Sequence, residues 1–423
     1  MGLRSTAAGQ IALFRYPGVR RLFWATLISS TGTWLAIVAL AIDVFDRTHS
    51  SVWVGALFAA ETLPIALLGF LLGPLLDRLP RRSLMIGSDL FRSAVFVALV
   101  AAPNAWTIIA LATFAGLATG LFTPAVYAGL PNLVEERDLA GANGLFQTAV
   151  SVTMIVGPLG GGLIVAVVGP HPAYLLNAAS FVFSALLLVG IHPSGLQSIA
   201  AVTRGYLHDL FDGAAAVFRL RPLLTVFVAW NLAMVGIAAM NTAEVDLVKH
   251  DFGAGDFGYG LFMAATGVGV FVGAFNARSV LGRGRFASAY ALGFVMLATG
   301  MVMVALMPPF ALAAALLVVA GAGDGLLLTA NAMLVQQGAS DDLRGRSFIL
   351  IMSSNAIVLT VASIGAGVLA DHAGARLVWA LAGLATAIAG LAGWLLARPL
   401  SLAGERTVIG VTLEPYAEPP LNV

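Results

Sequence analysis

The stretch Leu139–Thr203 reads LAGANGLFQTAVSVTMIVGPLGGGLIVAVVGPHPAYLLNAASFVFSALLLVGIHPSGLQSIAAVT and contains no charged side chain. A helix needs about 20 apolar residues to cross the hydrocarbon core of a bilayer, so this stretch is long enough for two crossings. The sequence GPHP at residues 169–172 interrupts it, because glycine and proline disfavour the interior of a helix. We therefore predict two membrane-spanning helices and a trailing segment here.

The composition of the whole chain indicates a membrane protein. Of its 423 residues, 59% are hydrophobic and 10% are charged, and the mean hydropathy is +0.94. A soluble protein carries about a quarter charged residues, so these charges are too few to cover a soluble globule. The net charge of +1 gives no indication of nucleic-acid binding. The lack of cysteine excludes thiolate chemistry and cysteine-bound metals, and a P-loop is excluded because Lys249, the only lysine, is not in one.

The other apolar stretches complete a set of twelve predicted helices. Two long stretches, 93–134 and 286–336, are divided by Pro103-Asn104 and Pro308-Pro309. Six stretches are single spans: 22–42, 52–76, 222–243, 257–277, 347–370 and 377–397. We therefore predict an all-α membrane protein with twelve transmembrane helices. Its parts are an N-terminal arm (1–21), a six-helix bundle (22–195), a linker with an amphipathic helix (196–221), a second six-helix bundle (222–398) and a mobile polar tail (399–423).

The placement of basic residues predicts the orientation. Arginine is concentrated in the N-terminal arm, the linker, the tail and alternate connections, whereas the other connections carry Arg47, Lys249 and Arg376. Basic residues are enriched in cytoplasmic loops. We therefore expect a multi-pass protein of the cell membrane with both termini in the cytoplasm.

The chain contains a weak internal repeat. GPLLDR at 73–78 aligns with GAFNAR at 273–278, and DLAG at 138–141 aligns with DLRG at 342–345. Both pairs fall in equivalent predicted connections, so the repeat predicts two six-helix halves in like orientation. Two such halves with a site between them are the architecture of secondary transporters that work by alternating access.

Four motifs in the first half resemble the major facilitator superfamily. They are STGTW at 30–34, DRTHS at 46–50, GPLLDRLPRR at 73–82 and DLFR at 89–92. The resemblance is strongest to the proton-coupled drug exporters, the branch with macrolide and enterobactin exporters. It implies the major facilitator fold, a small-molecule substrate, energy from a proton gradient without a cofactor, and a monomer. Thr33 departs from this branch, which often has an aspartate there. If that acid is the proton site in relatives, either another carboxylate takes its place in this chain or the chain couples differently.

The loop after the second predicted helix is similar to motif A of the superfamily. Its residues are Gly73, Asp77, Arg78, Arg81 and Arg82. Gly73 permits close helix packing, and a carboxylate such as Asp77 suits the positive N-terminal end of another helix. The resemblance places that end on the eleventh helix, as a latch between the halves. The alternative is that the arginines only set the topology. Ala277 replaces the aspartate in the second copy, so the latch is expected on one side only.

The fifth predicted helix carries small residues that resemble the antiporter motif C. They are Gly144, Gly157, Pro158, Gly161 and Gly162. Glycine permits close packing and proline bends a helix, and this motif favours export over uptake. The alternative is ordinary helix packing.

Three carboxylates are candidates for proton coupling: Asp324 and Glu61 inside predicted spans, and Asp43 near the outer end of the first. A charge at the bilayer centre costs about 2.5–3.5 kcal/mol, so such residues are usually functional. Burial raises the pKa of a carboxyl group, which suits proton binding near neutral pH. A structural hydrogen bond, or solvation in the case of Asp43, is the alternative. Asp89 and Arg92 are spaced to pair on one helix face, and we interpret them as a structural brace.

Candidate substrate contacts combine aromatic walls with a few polar groups; ordinary helix packing is the alternative. They are Trp34, Phe122, Phe146, Gln147, Asn231 and Asn331. We predict a proton-driven exporter of lipophilic or amphiphilic small molecules. The alternatives are an uptake symporter and a non-transporting sensor of the same fold. An enzyme and a metal site are not expected, because the histidines fall in connections or at helix ends.

Overall fold

The computed structural model describes residues 12–76, 79–192, 196, 206–282, 285–307, 309–338 and 341–408, where all regular elements are helices. For some helical residues only the backbone is described: 66, 69–76, 140, 206–212, 278, 337, 341–346, 348, 349 and 401–408. Twelve long helices are α1 Pro17–Thr48, α2 Ser51–Leu76, α3 Arg81–Leu99, α4 Ala105–Gly129, α5 Leu139–Val168, α6 Pro170–Val189, α7 Arg221–Asp246, α8 Gly255–Leu281, α9 Phe286–Ala305, α10 Phe310–Gly338, α11 Asp341–Ala373 and α12 Ala375–Val408. A linker helix, Tyr206–Arg219, lies between α6 and α7.

The predicted all-α fold with twelve long helices is confirmed, and the breaks lie where proline and glycine were expected to make them. Asn104 caps α4 by accepting a 3.0 Å hydrogen bond from the amide of Thr107. Gly169 separates α5 from α6 with a φ of +83°, a conformation that favours glycine. Pro170 then starts α6. Proline is tolerated there because amide groups in the first turn of a helix have no hydrogen-bond acceptor within the helix, so its missing amide proton costs nothing.

Several helices are longer than the predicted apolar spans. The first begins at Pro17 instead of residue 22, and the last continues past Pro399 to Val408. At the end of α7, a π-helical turn, Leu247–Asp251, carries the helix past its predicted end at residue 243. A helix can continue into the polar boundary of the membrane, where charged residues are tolerated. A charge-free run ends at the first charged residue and is therefore shorter than the helix.

The third helix is the least apolar of the twelve. Within the described ranges, ten helices are long and apolar enough to cross a membrane, and α3 is not one of them. Its charged residues include a buried pair, Asp89 and Arg92, whose Oδ1 and Nη2 atoms are 2.5 Å apart. Pairing inside the bundle permits these charges at membrane depth, because an unpaired charge there is far more costly.

The two halves repeat the same pattern of helix contacts. In the first half α1 packs on α5 and α6, α3 on α4 and α6, and α2 on α4. Adding six to each number gives the second half: α7 packs on α11 and α12, α9 on α10 and α12, and α8 on α10. The halves meet mainly through the pairs α2–α11 and α5–α8.

The short connections between consecutive helices make neighbours in the chain run in opposite directions. The start of α1 and the end of α12 therefore lie at one end of the bundle, which we call the terminal end. The opposite end, where α1 meets α2 and α7 meets α8, is called the far end. Residues beyond Val408, predicted as a tail, lie outside the described residues.

Candidate functional site

A cavity of about 220 Å³ lies inside the N-terminal half, nearer the terminal end. Its walls come from α1, α3, α4 and α5. Three of the predicted substrate contacts, Trp34, Phe122 and Phe146, line it together. Arg92 of α3 also lines it, so one side of the cavity carries a guanidinium group, and the other walls mix aromatic rings with hydroxyl groups.

Asp324 lies in the middle of α10 on a face fixed by close glycine contacts. A β-carbon at Gly325 would overlap the Val270 carbonyl of α8, and one at Gly323 would overlap the Gly293 carbonyl of α9. Asp324 lies between these two contacts on the helix circumference, about 140° from Val319, at 3.6 residues per turn. Val319 is 44% exposed on the opposite side. Ala320 and Asn331, which lie on the same face as Asp324, are buried, so this half-buried residue faces the interior. Its Oδ1 atom is buried, with no hydrogen-bond partner in the described structure.

A second acidic pair spans the two halves near the far end. Glu244 of α7 is only 3% exposed, and its Oε1 atom has no hydrogen-bond partner in the described part of the chain. Glu61 of α2 is half-buried, where its backbone packs against Gly116 of α4. Helices α2 and α7, which carry the two acids, belong to different halves and pack against each other. The two acids therefore lie on helices that meet between the halves.

Asp43, the third predicted proton-coupling residue, has both oxygens occupied. Its Oδ1 accepts a 2.7 Å hydrogen bond from Nε of Arg47, and its Oδ2 accepts a 2.9 Å hydrogen bond from the hydroxyl of Tyr174. Arg47 also donates to the carbonyl of Ala102. In this conformation Asp43 ties α1 to α6 and to the α3–α4 connection.

The glycines of the fifth helix face two different neighbours. On the side of α1, Gly157 packs against Trp34 and Gly161 lies against the Leu35 carbonyl. On the side of α8, a β-carbon at Gly162 would be 2.9 Å from the Cα of Gly260. Pro158 contributes its carbonyl to the same α8 contact. The motif therefore joins the cavity wall to the contact between the halves. Nearer the terminal end, the Gly144 carbonyl accepts a 2.9 Å hydrogen bond from the Thr148 hydroxyl.

The far end is closed by polar contacts between the halves. Asp371, at the end of α11, accepts hydrogen bonds from the Ser50 hydroxyl and from the Ser51 amide, the latter at 2.6 Å. Lys249, after α7, pairs with Asp46 of α1. These contacts join the end of α11 to the beginning of α2, and the turn after α7 to the end of α1.

The remaining predicted substrate contacts lie apart from the cavity. Gln147 is exposed. Asn231 donates to Phe227 and to the hydroxyl of Ser354 at 3.0 Å, which links α7 to α11. Asn331 is buried, and its Oδ1 accepts a hydrogen bond from the hydroxyl of Tyr290 in α9. In this conformation the two asparagines serve packing within the C-terminal half.

The sequence matches the family described as Major Facilitator Superfamily over residues 22–361. The chain belongs to the major facilitator superfamily. It is therefore a multi-pass membrane transporter of a small-molecule substrate rather than an enzyme. The resemblance seen in the motifs of the first half is confirmed.

Relatives in the superfamily match almost the whole chain at low identity. The MFS-type transporter YfiS of Bacillus subtilis strain 168 is 26% identical over 392 residues, 90% of this chain and 93% of YfiS. The multidrug efflux pump Tap of Mycolicibacterium fortuitum is 27% identical over 370 residues, 84% of this chain and 89% of Tap. A bacterial homologue of the human lysosomal transporter Spinster, in an inward-facing and unoccupied conformation, shares the fold with a TM-score of 0.69 at 15% identity, covering 96% of this chain and 99% of that one.

The motif A loop of this superfamily member is described in part. Arg81 donates to the Ala128 carbonyl at 2.8 Å, and Arg82 donates to the carbonyls of Leu188 and Val189. Both arginines thus bind the carboxyl ends of helices in their own half, α4 and α6, where the helix dipole favours a cation. Asp77, Arg78 and the surroundings of Gly73 lie outside the described residues. The predicted latch to α11 stays a prediction.

Sequence reasoning missed Glu244 and the position of Arg92 in the cavity wall. The predicted seventh span ends at residue 243, because Glu244 is the first charged residue after the apolar run. A signal was present: Val245, Leu247 and Val248 continue the apolar pattern after the acid. Arg92 was predicted to pair with Asp89, which the 2.5 Å contact confirms. Its place in the cavity depends on how α3 packs against α4 and α6.

Proposed function

We propose that this chain exports an amphiphilic small molecule across the cell membrane in exchange for protons. The observation that carries the proposal is Asp324, a carboxyl group that faces the interior of the bundle and has a buried oxygen without a hydrogen-bond partner in the described part of the chain. The proposal includes cytoplasmic termini, a monomer, and a proton gradient as the energy source without a cofactor.

The environment of Asp324 favours a proton as its partner. Burying a charged carboxylate without a partner is costly, and the glycine contacts on both sides hold this residue in place. A proton that binds when the site is buried and leaves when the site reaches water would couple the motion of the halves to the gradient. Such coupling requires only that the two conformations bind the proton with different affinity.

The pair Glu61 and Glu244 supplies a second position for protons, between the halves. Movement of one half against the other would change the surroundings of both acids, because their helices α2 and α7 pack against each other. Burial favours the protonated form of a carboxyl group. The pair therefore supports coupling of protons to the contact between the halves, and Asp324 supports coupling within the C-terminal half.

Three features support export as the direction. The motif C helix packs closely on α1 and α8, and the relative Tap is named a multidrug efflux pump. With cytoplasmic termini, the cavity lies toward the cytoplasm, and the polar contacts at the far end separate the interior from the outside. This arrangement suits an exporter that loads its cargo from the cytoplasm or the inner leaflet.

Inside-out membrane vesicles with an acidic interior test the proposal. A panel of acidic, neutral and cationic amphiphilic dyes is added outside. A substrate of a proton antiporter accumulates inside and dissipates the pH gradient, whereas a proton symporter does not accumulate it. We expect Asp324→Asn to abolish gradient dissipation and to retain substrate binding. Asp251→Asn, which removes a carboxylate paired with Arg376 at the far end, is the matched control. Normal dissipation by Asp324→Asn would show that Asp324 is not the coupling residue.

A further inference from the structure

Arg92 pairs with Asp89 inside the bundle, and its other contacts are typical of a ligand-binding residue. Its guanidinium stacks over Phe181 at 4.2 Å and over Phe122 at 4.6 Å from the ring centroids. Nη2 bonds to Asp89, while Nε is buried without a hydrogen-bond partner in the described structure. A guanidinium group has five N–H donors, and two aromatic faces hold this one in a fixed plane next to the cavity.

Of the buried pair Arg92 and Asp89, only the positive residue lines the cavity. Arg92 lines the cavity, whereas Asp89 is not part of the lining and has no exposed surface. None of the described residues that line the cavity is a carboxylate. A ligand in the cavity therefore meets a guanidinium but not its counterion, so a negative group is favoured and a positive group is disfavoured.

Hydroxyl groups on α1 add a polar face to the cavity. Thr26, Ser29, Ser30 and Thr33 recur at helical spacing on one face of α1 and line the cavity. The Thr33 hydroxyl is used by its own helix, where it donates to the Ser29 carbonyl at 2.8 Å. The Thr26 hydroxyl is buried and has no partner among the described residues, so it can donate to a ligand oxygen beside Arg92.

We propose that this cavity is a binding subsite for the carboxylate of an amphiphilic organic acid, with Arg92 as the residue that binds the acid group. The aromatic walls formed by Trp34, Phe122 and Phe146 take the apolar part of the same molecule. This inference rests on the proposed transport function, because it assigns the class of cargo. Planar guanidinium and carboxylate groups match each other in geometry as well as in charge.

Binding to the purified full-length protein in nanodiscs, with no gradient present, tests the subsite directly. The probes are 2-naphthoate, its neutral amide 2-naphthamide and the cation 2-naphthylmethylammonium, measured by equilibrium dialysis against empty nanodiscs. A hydrogen bond between a ligand and a buried charged group such as Arg92 raises the affinity by about tenfold or more. We expect the native protein to bind the acid about tenfold more tightly than the amide and the cation least tightly. Equal binding of acid and amide would overturn the proposal without any variant.

Variants of the charge pair separate ligand binding from bracing. Asp89→Asn with Arg92→Gln removes both charges, so no unpaired charge stays buried, and we expect the acid-to-amide preference to disappear while amide binding persists. Asp89→Asn alone leaves the Arg92 charge uncompensated, and we expect tighter binding of the acid with the amide unchanged. Arg398→Gln, which removes a guanidinium stacked on Trp394 outside this cavity, is the matched control and is expected to keep the native preference.

The double variant decides between the two roles of Arg92. If it binds the amide normally and still prefers the acid, Arg92 is a brace only and the subsite is refuted. The binding assay contains no proton gradient, so its outcome does not depend on proton coupling. Failure of gradient dissipation in vesicles would refute the proposed antiport and would leave the acid preference standing.

Discussion

The backbone amide of Ser51 donates a 2.6 Å hydrogen bond to Oδ1 of Asp371, which joins the first turn of α2 to the last turn of α11. The Ser50 hydroxyl donates to the same carboxylate. A carboxylate at the N-terminus of a helix satisfies free amide groups and interacts with the helix dipole. Since α2 and α11 belong to different halves, this contact stabilises the conformation in which the far end is closed.

Asp371→Ala is therefore expected to open the far end more often. A carboxylate at an exposed helix N-terminus contributes about 0.3–1 kcal/mol, which corresponds to about a two- to fivefold shift in the conformational equilibrium. The chain has no cysteine, so a single Val54→Cys, at a buried position of α2 near this contact, reports opening. A membrane-impermeant maleimide is added on the side of the membrane that the far end faces. We expect it to label the cysteine about two- to fivefold faster when Asp371→Ala is also present.

The matched control for that measurement is Asp251→Ala. Asp251 pairs with Arg376 at the same end of the bundle, but both residues belong to the C-terminal half. Its removal changes the local charge by the same amount without affecting a contact between the halves. Equal acceleration by both variants would mean that charge, rather than the α2–α11 contact, controls the labelling rate.

A larger residue at Gly162 is expected to impair transport by separating the halves. A β-carbon there would be 2.9 Å from both the Cα of Gly260 and the carbonyl oxygen of Asp256 in α8. Overpacking of this kind costs about 1–3 kcal/mol, so Gly162→Val should shift the equilibrium by about 5- to 150-fold. We expect slower transport in proteoliposomes and faster labelling of Cys at position 54.

Gly160→Val provides the comparison in the same run of glycines. The nearest atom to a β-carbon at Gly160 is Cδ1 of Leu35 at 3.7 Å, an ordinary contact that a flexible side chain can adjust. We expect near-native transport and labelling. Equal losses in both variants would show that the glycines act through helix bending and not through the contact with α8.

The fold follows from sequence because a bilayer permits few choices. Long apolar runs must form helices, since every backbone polar group in lipid has to be satisfied internally. Prolines and glycines then locate the breaks, as at Gly169. The side of each helix that meets a neighbour is much harder to predict, because small residues occur on several faces. Trp34, Phe122 and Phe146 did come together in one cavity, whereas Asn331 bonds to Tyr290 outside it.

The residues that sequence reasoning missed depend on contacts between distant segments. Asp371 has the sequence context of a solvated carboxylate at a helix end, and only the packing of α2 against α11 gives it partners. The predicted counterpart at the terminal end is Asp77, which was expected to interact with the start of α11. The α2–α11 pair would then carry one capping carboxylate at each end, and each would favour closure of its own side.

Tyr174→Phe is expected to lower stability without altering proton coupling. Both residues of the Tyr174–Asp43 hydrogen bond are buried, and Arg47 holds the other carboxylate oxygen. A hydrogen bond to a charged group contributes about 1.5–3 kcal/mol, so the melting temperature of the purified protein should fall by several degrees. Tyr16→Phe removes a similar 2.9 Å bond to Asp138 near solvent and should have a smaller effect. If Tyr174→Phe instead changed the number of protons moved per substrate, Asp43 would be shown to take part in proton coupling.

Glu244→Gln is expected to uncouple substrate transport from proton movement. Glu244 is 3% exposed, and its Oε1 atom has no hydrogen-bond partner among the described residues. Glutamine has the shape of a protonated glutamic acid and carries no charge, so folding and thermal stability should be retained. We expect the variant to exchange labelled for unlabelled substrate across proteoliposomes but to accumulate none against a gradient in inside-out vesicles. Glu135→Gln, which removes an exposed carboxylate paired with Arg137 in the α4–α5 connection, should accumulate substrate normally. Proton-driven accumulation at the native level in Glu244→Gln would leave Asp324 as the remaining candidate, because the interface pair would then be dispensable for coupling.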